Sequence, residues 1–131
     1  MADQRRDIKV ILCKASLDGH WIGVQAVAMA FRDAGMEVLY MGMITAEEIV
    51  KVAIQEDADV IGLNIGASYE QVQELMKILK NRGMEDVLVV VGGVIPKVDI
   101  PKIKEMGVGG VFPPGSKLSE IVKFIKQKVT S

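Results

Sequence analysis

Val87-Leu88-Val89-Val90-Val91-Gly92-Gly93-Val94-Ile95-Pro96 is the longest apolar stretch of the chain. Its first five residues are aliphatic with no polar alternation, which reads as a strand buried on both faces, and the glycine pair ends the run. Ile8 to Cys13, Glu37 to Tyr40, Val60 to Asn64 and Gly110 to Phe112 are further strand candidates. Between and after them lie segments with apolar residues spaced by three and four, which predict helices over Gly23 to Ala34, Ala46 to Glu56, Tyr69 to Asn81, Ile100 to Met106 and Leu118 to Lys128. Thr45 with Glu48 three residues on is a capping box, and Gly35, Gly83 and Gly107 stand where helices should stop.

Five strands, each followed by a helix, predict an α/β fold: a doubly wound, five-stranded parallel sheet with helices on both faces, Rossmann-like in kind. The flavodoxin-like strand order 2-1-3-4-5 is the expected topology, with any ligand outside the carboxyl ends of the strands beside strand one. The 131 residues fit a single domain, 1–131, with a short amino-terminal tail over 1–7. Sixteen basic and 17 acidic side chains leave a net charge of -1, which argues against a nucleic-acid binder. One Trp, two Tyr and three Phe make a poor base-stacking platform. The longest apolar run falls well short of the roughly 20 residues of a membrane span. The start, Met-Ala-Asp-Gln-Arg-Arg-Asp, carries no secretory h-region, and one cysteine excludes an internal disulfide, so the expected location is cytoplasmic.

Strand one runs into Lys14-Ala15-Ser16-Leu17-Asp18-Gly19-His20-Trp21-Ile22-Gly23, which holds the only histidine. Asp18 and His20 stand two apart in a glycine-containing loop, so the carboxylate can fold back onto one imidazole nitrogen while the other points outward. That arrangement suits a metal-ligating histidine with its orienting carboxylate, and Lys14 can pair with the same carboxylate. The alternative is an Asp18 that caps the first helix or closes an Asx-turn beside a solvated His20. Location at the end of the central strand, with Gly23 allowing close backbone approach, favours the ligand. Cys13, inside strand one, reads as a buried apolar residue. Most of the methionines read as core, with Met41 and Met43 near the ligand edge. The run Lys123 to Lys128 reads as a solvated helix face.

Asp18-x-His20-x-x-Gly23, with a short signature at strand three and Gly92-Gly93 after strand four, resembles the cobalamin-binding domain of the base-off/His-on type. The likeness is to the small-subunit or carboxy-terminal domain of acyl-CoA mutases, the methylmalonyl-CoA and 2-hydroxyisobutyryl-CoA mutase group. It extends over Phe31 to Val38, Ala53 to Val60 and Val89 to Pro96. The resemblance implies that His20 is the lower axial ligand of cobalt, that Asp18 accepts its other N–H, and that Lys14 holds Asp18. It implies that Gly19, Trp21, Ile22 and Gly23 complete the loop under the corrin. Gly92 and Gly93 would line the channel of the displaced nucleotide tail, with Phe112, Gly115 and Ser116 close to the tail. Three places depart from the family: Trp21-Ile22 replaces a charged pair, Asn64-Ile65-Gly66 replaces Ser-x-Leu in a shortened loop, and Gly42 to Thr45 is shorter. Asn64 keeps an amide able to bond a base nitrogen.

The resemblance therefore implies a cobalamin-binding small subunit of an adenosylcobalamin-dependent acyl-CoA mutase. No residue here would act on substrate, and a separate large acyl-CoA-binding subunit would be the partner. A corrinoid carrier or B12-sensing module is the alternative, disfavoured because few residues precede strand one. A diverged domain that has lost cobalamin is another, disfavoured by intact Asp18, His20, Gly23, Gly92 and Gly93.

Overall fold

The structure, a computed structural model, describes residues 7–14, 21–66 and 68–130, without the side chains of 21–23, 43 and 130. Strands β1 (Lys9–Lys14), β2 (Glu37–Met43), β3 (Val60–Ile65), β4 (Leu88–Gly93) and β5 (Gly110–Phe112) form one parallel sheet in the order β2-β1-β3-β4-β5. Helices α1 (Trp21–Asp33), α2 (Ala46–Glu56), α3 (Glu70–Asn81), α4 (Ile100–Glu105) and α5 (Leu118–Thr130) follow the strands in turn. The expected order is the observed one. The largest departure from the expected boundaries is β2, which runs on from Tyr40 to Met43. Leu12 pairs with Tyr40 but Cys13 pairs with Gly42, so Met41 is an extra residue absorbed in a bulge. Gly42, at φ +71°, supplies the backbone conformation that lets the strand continue instead of stopping.

Alternation along the strands sends odd-numbered residues of β1, β3 and β4 to one face and even-numbered ones to the other. Ile11, Ile61, Leu63, Ile65, Val89 and Val91 pack under α2, α3 and α4. Val10, Leu12, Val60 and Val90 pack under α1 and α5, whose contributions include Val24, Phe31, Ile121 and Ile125. Covering both faces is what the unbroken aliphatic strands require. The expected helix ends are present: Thr45 Oγ accepts from Glu48 N–H at 3.2 Å while the Glu48 carboxylate accepts from Thr45 N–H at 2.9 Å. Gly35, Gly83 and Gly107 take φ values of +88°, +70° and +102°. At the amino end of the sheet, Lys9 Nζ lies 3.2 Å from both Glu37 and Glu56, fastening β1 to β2 and α2 at the end away from the ligand loops. Among the described residues no helix is long and apolar enough to cross a membrane.

Candidate functional site

The even-numbered face carries the cavity, because two of its cross-strand rows are interrupted by glycines. Leu12, Gly62, Val90 and Gly110 stand side by side, and one layer nearer the carboxyl ends come Lys14, Asn64, Gly92 and Phe112. Three glycines under α1 and α5 leave three gaps, and two are filled from within. A Cβ at Gly62 would lie 2.6 Å from Leu12 Cδ2, so Leu12 already leans over that position. A Cβ at Gly110 would lie 2.7 Å from Phe124 Cε2, and that ring in turn packs edge-to-face on Phe112 at 5.4 Å between centroids. Only Gly92 keeps its gap: a Cβ there would meet one atom, Phe112 O, at 3.4 Å.

Above that gap lies a cavity of about 440 Å³. Val24, Val27 and Phe31 of α1 form one wall, Leu118 and Ile121 of α5 the other, and Asn64, Gly92 and Phe112 floor the outer end. Its size is that of a small-molecule site, and so is its lining, mostly apolar with few polar groups. The turn after β5 closes one side. Ser116 Oγ donates to Pro113 O at 2.7 Å and Ser116 N–H donates to the same carbonyl at 3.2 Å, so both donors of Ser116 are spent inside the turn. Pro113 and Pro114 have no N–H to offer. Cys13 also borders the cavity through β1, and burial pushes its thiol up to about 12, as expected of an unreactive core cysteine.

Gly93, the other member of the pair, has a different reason to be glycine. It faces the opposite side of β4 at φ +123°, where a Cβ would be driven onto the backbone of Ile65, with that residue's N at 3.1 Å and carbonyl C at 3.2 Å. The fold itself demands Gly93, while at Gly92 it leaves the space of a side chain open.

The loops on the other half of the carboxyl edge are tied together. The Gln71 side-chain amide donates to Ile44 O, joining α3 to the loop after β2. Tyr69 Oη donates to Asp99 Oδ2 at 2.6 Å, joining the start of α3 to the turn before α4, and this bond holds the phenol above its ordinary value of 10.0. Ser68 Oγ accepts from Glu70 N–H at 3.4 Å and so serves the start of α3. These bonds tie the start of α3 to the loop after β2 and to the turn before α4.

Asp18, Gly19 and His20 lie outside the described residues, as do the side chains of Trp21, Ile22 and Gly23, whose backbone opens α1. Lys14 ends β1 next to Asn64. Asn64, Gly92, Gly93, Phe112, Gly115 and Ser116 all border the cavity. Ile65 does not: it points to the other face and is buried among α2 and α3 side chains. Gly66 is buried but is not part of the cavity wall, and Met41 packs toward the α2 face. The helix walls, Val24, Val27, Phe31, Leu118 and Ile121, line the cavity without standing out in the sequence, because an apolar stripe at helical spacing looks the same over a core and over a cavity. Among the described residues no group of three His, Cys, Asp or Glu side chains could hold a metal ion.

Against known proteins, the family model of the B12 binding domain matches residues 8–123. The 2-hydroxyisobutanoyl-CoA mutase small subunit of Aquincola tertiaricarbonis is 41% identical over 127 residues, covering 95% of this chain and 93% of that protein. The methylmalonyl-CoA mutase of Escherichia coli is 35% identical over 94% of this chain but only 18% of its own length. Among solved structures, a cobalamin-binding protein from Desulfitobacterium hafniense superimposes with a TM-score of 0.78 at 22% identity, over 94% of this chain and 60% of that one. A Francisella response-regulator receiver domain reaches 0.75 at 14% identity, over 95% of this chain and 98% of that one. At such identities these structural likenesses speak for the fold alone.

Proposed function

The chain belongs to the B12 binding domain family, and from that premise we propose that it is the cobalamin-binding small subunit of an adenosylcobalamin-dependent acyl-CoA mutase. The observation that carries the reading is the cavity over Gly92: it is a cradle that a single Cβ would begin to fill, in a sheet position that nothing among the described residues fills. Its apolar walls fit a flat heteroaromatic tail, and it opens at the carboxyl ends of β1, β3 and β4. A likeness running the length of relatives that are themselves mutase small subunits supports the same role.

In this reading the residues divide the work. His20 would hold the cobalt, Asp18 would accept the other imidazole N–H and fix the tautomer, and Lys14 would hold the carboxylate in place. Gly19 and Gly23 would let the backbone come close to the cofactor. Trp21 and Ile22 offer an apolar rim toward the cofactor or the partner. Asn64 supplies an amide to the tail, and α1, α5 and the turn Phe112 to Ser116 exclude water from it. Adenosylcobalamin, when bound, supplies the radical chemistry of a carbon-skeleton rearrangement. No residue of this chain is assigned an action on the acyl-CoA. A separate large subunit binds that substrate, and residues 1–131 act as one cofactor-holding domain in the cytoplasm, where the single, buried Cys13 stays reduced.

The test is an absorption titration of the purified chain with hydroxocobalamin and adenosylcobalamin beside a His20→Ala variant. A saturable spectral change that is lost in the variant is expected. No change with either cobalamin, or an identical change in the variant, refutes the assignment.

A further inference from the structure

Tyr69 and Asp99 stand at the N-caps of α3 and of the helical turn that α4 continues, and neither side chain bonds to its own helix. An aspartate at such a position ordinarily accepts from the first turn of its helix, a bond whose loss costs on the order of 1 kcal/mol. Asp99 forgoes it: its Oδ2 accepts instead from Tyr69 Oη at 2.6 Å, the short distance of a hydroxyl on a carboxylate. Local helix stability is given up for a link across the carboxyl edge of the sheet. We infer that Tyr69 and Asp99 are positioning residues for the cofactor, their bond acting as a clasp that holds the ends of β3 and β4, and with them Asn64 and Gly92, at the separation that binding requires. This rests on the cobalamin-binding reading, because it concerns the same edge.

The place where the ladder stops is what gives the clasp this role. β3 pairs with β4 as far as Asn64 with Gly92 and Ile65 with Gly93, and no later pair is formed. Past that point one chain leads to α3 and the other to α4. The backbone of Gly93 lies against that of Ile65, so the two chains leave the sheet close together, and the Tyr69–Asp99 bond joins them again beyond it. Asn64, Gly92, Gly93 and Val94, all bordering the cavity, lie next to these two fastenings. Both arms are firm. Asp99 N–H donates to Pro96 O at 2.9 Å, and the Tyr69 ring packs on the buried side chains of the odd-numbered face, which aims its hydroxyl. Without the clasp each arm would sample other positions, and a cofactor would have to order them as it binds, at a cost in affinity.

The experiment titrates the purified chain with hydroxocobalamin at neutral pH, well below the melting temperature of every variant. Tyr69→Phe removes the hydroxyl and keeps the ring, Asp99→Ala removes the acceptor, and Asp99→Asn keeps an oxygen that can accept. Each of the first two should weaken binding by about fivefold, the worth of one hydrogen bond. Combined, they should weaken it by no more than either alone, since both break the same bond. Asp99→Asn should stay within about twofold of the parent. Lys9→Met breaks the fastening at the opposite end of the sheet and should bind as the parent does. A merely structural role would neither be rescued by the amide nor distinguish the two ends.

A Tyr69→Phe variant that binds as tightly as the parent overturns the inference, as do losses that add in the double variant, an Asp99→Asn as weak as Asp99→Ala, or a Lys9→Met as weak as Tyr69→Phe. Each of these leaves cobalamin binding standing. No spectral change with the parent chain overturns the inference together with the reading beneath it.

Discussion

Exchanging each member of the glycine pair for alanine separates ligand from fold. In Gly93→Ala the new methyl is forced onto the Ile65 backbone, with no flexible side chain able to move aside, and the residue must hold φ +123°. Strain of this kind costs about 1–3 kcal/mol and an overpacked contact about as much again, so the loss is about 2–6 kcal/mol. For a chain of this size that lowers Tm by roughly 8–20 °C. In Gly92→Ala the methyl meets only Phe112 O at 3.4 Å, an ordinary contact, and the backbone has no positive φ to object to. Restricting the unfolded chain then gives a stability change between zero and a gain of about 1 kcal/mol. The same methyl stands in the cavity, where overpacking against a bound base should weaken cobalamin binding by roughly 10- to 100-fold. Thermal unfolding followed by circular dichroism, with absorption titration of hydroxocobalamin, reads both quantities. The reasoning fails if Gly92→Ala binds cobalamin as tightly as the parent, or if Gly93→Ala melts where the parent does.

Two further outcomes follow from local bonds. Thr45→Ala should cost about 1 kcal/mol at neutral pH by removing the cap of α2, measured by urea unfolding. The Thr45 N–H bond holds the Glu48 carboxyl below its ordinary 4.5, so the contribution of that carboxylate is present above this value and is lost as pH falls through the lower folded one. Tyr69→Phe should destabilise the chain below pH 10, and the difference from the parent should shrink as pH rises through the phenol's raised folded value. Ultraviolet titration of the parent should show one tyrosine ionising above 10, absent from the variant.

The strands and helices were legible because each strand is apolar on both faces and each helix carries marked ends. Where β2 ends was not, since Gly42 reads as a stop in one dimension and as a bulge only when Cys13 is seen to pair with it. The glycine pair was legible as a place but not as two roles: what distinguishes Gly92 from Gly93 is the Ile65 backbone, 27 or more residues earlier in the chain and adjacent only through the β3–β4 register. Ile65 itself was placed with the ligand residues by motif position, and strand alternation sends it to the other face. Met29, taken with the core methionines, is 63% exposed on α1, because helical spacing alone does not say where the neighbouring strand runs out.

The two outer strands bear on how this chain can meet other proteins. β5 presents only three residues, and β2 is interrupted by its bulge, so neither edge offers a long straight row of backbone groups for a foreign strand to adopt. Growth of the sheet from molecule to molecule, the route to fibrils, is discouraged at both ends. Association is left to the loops and the helix surfaces, so a partner can be exchanged or awaited without the sheet recruiting copies of itself.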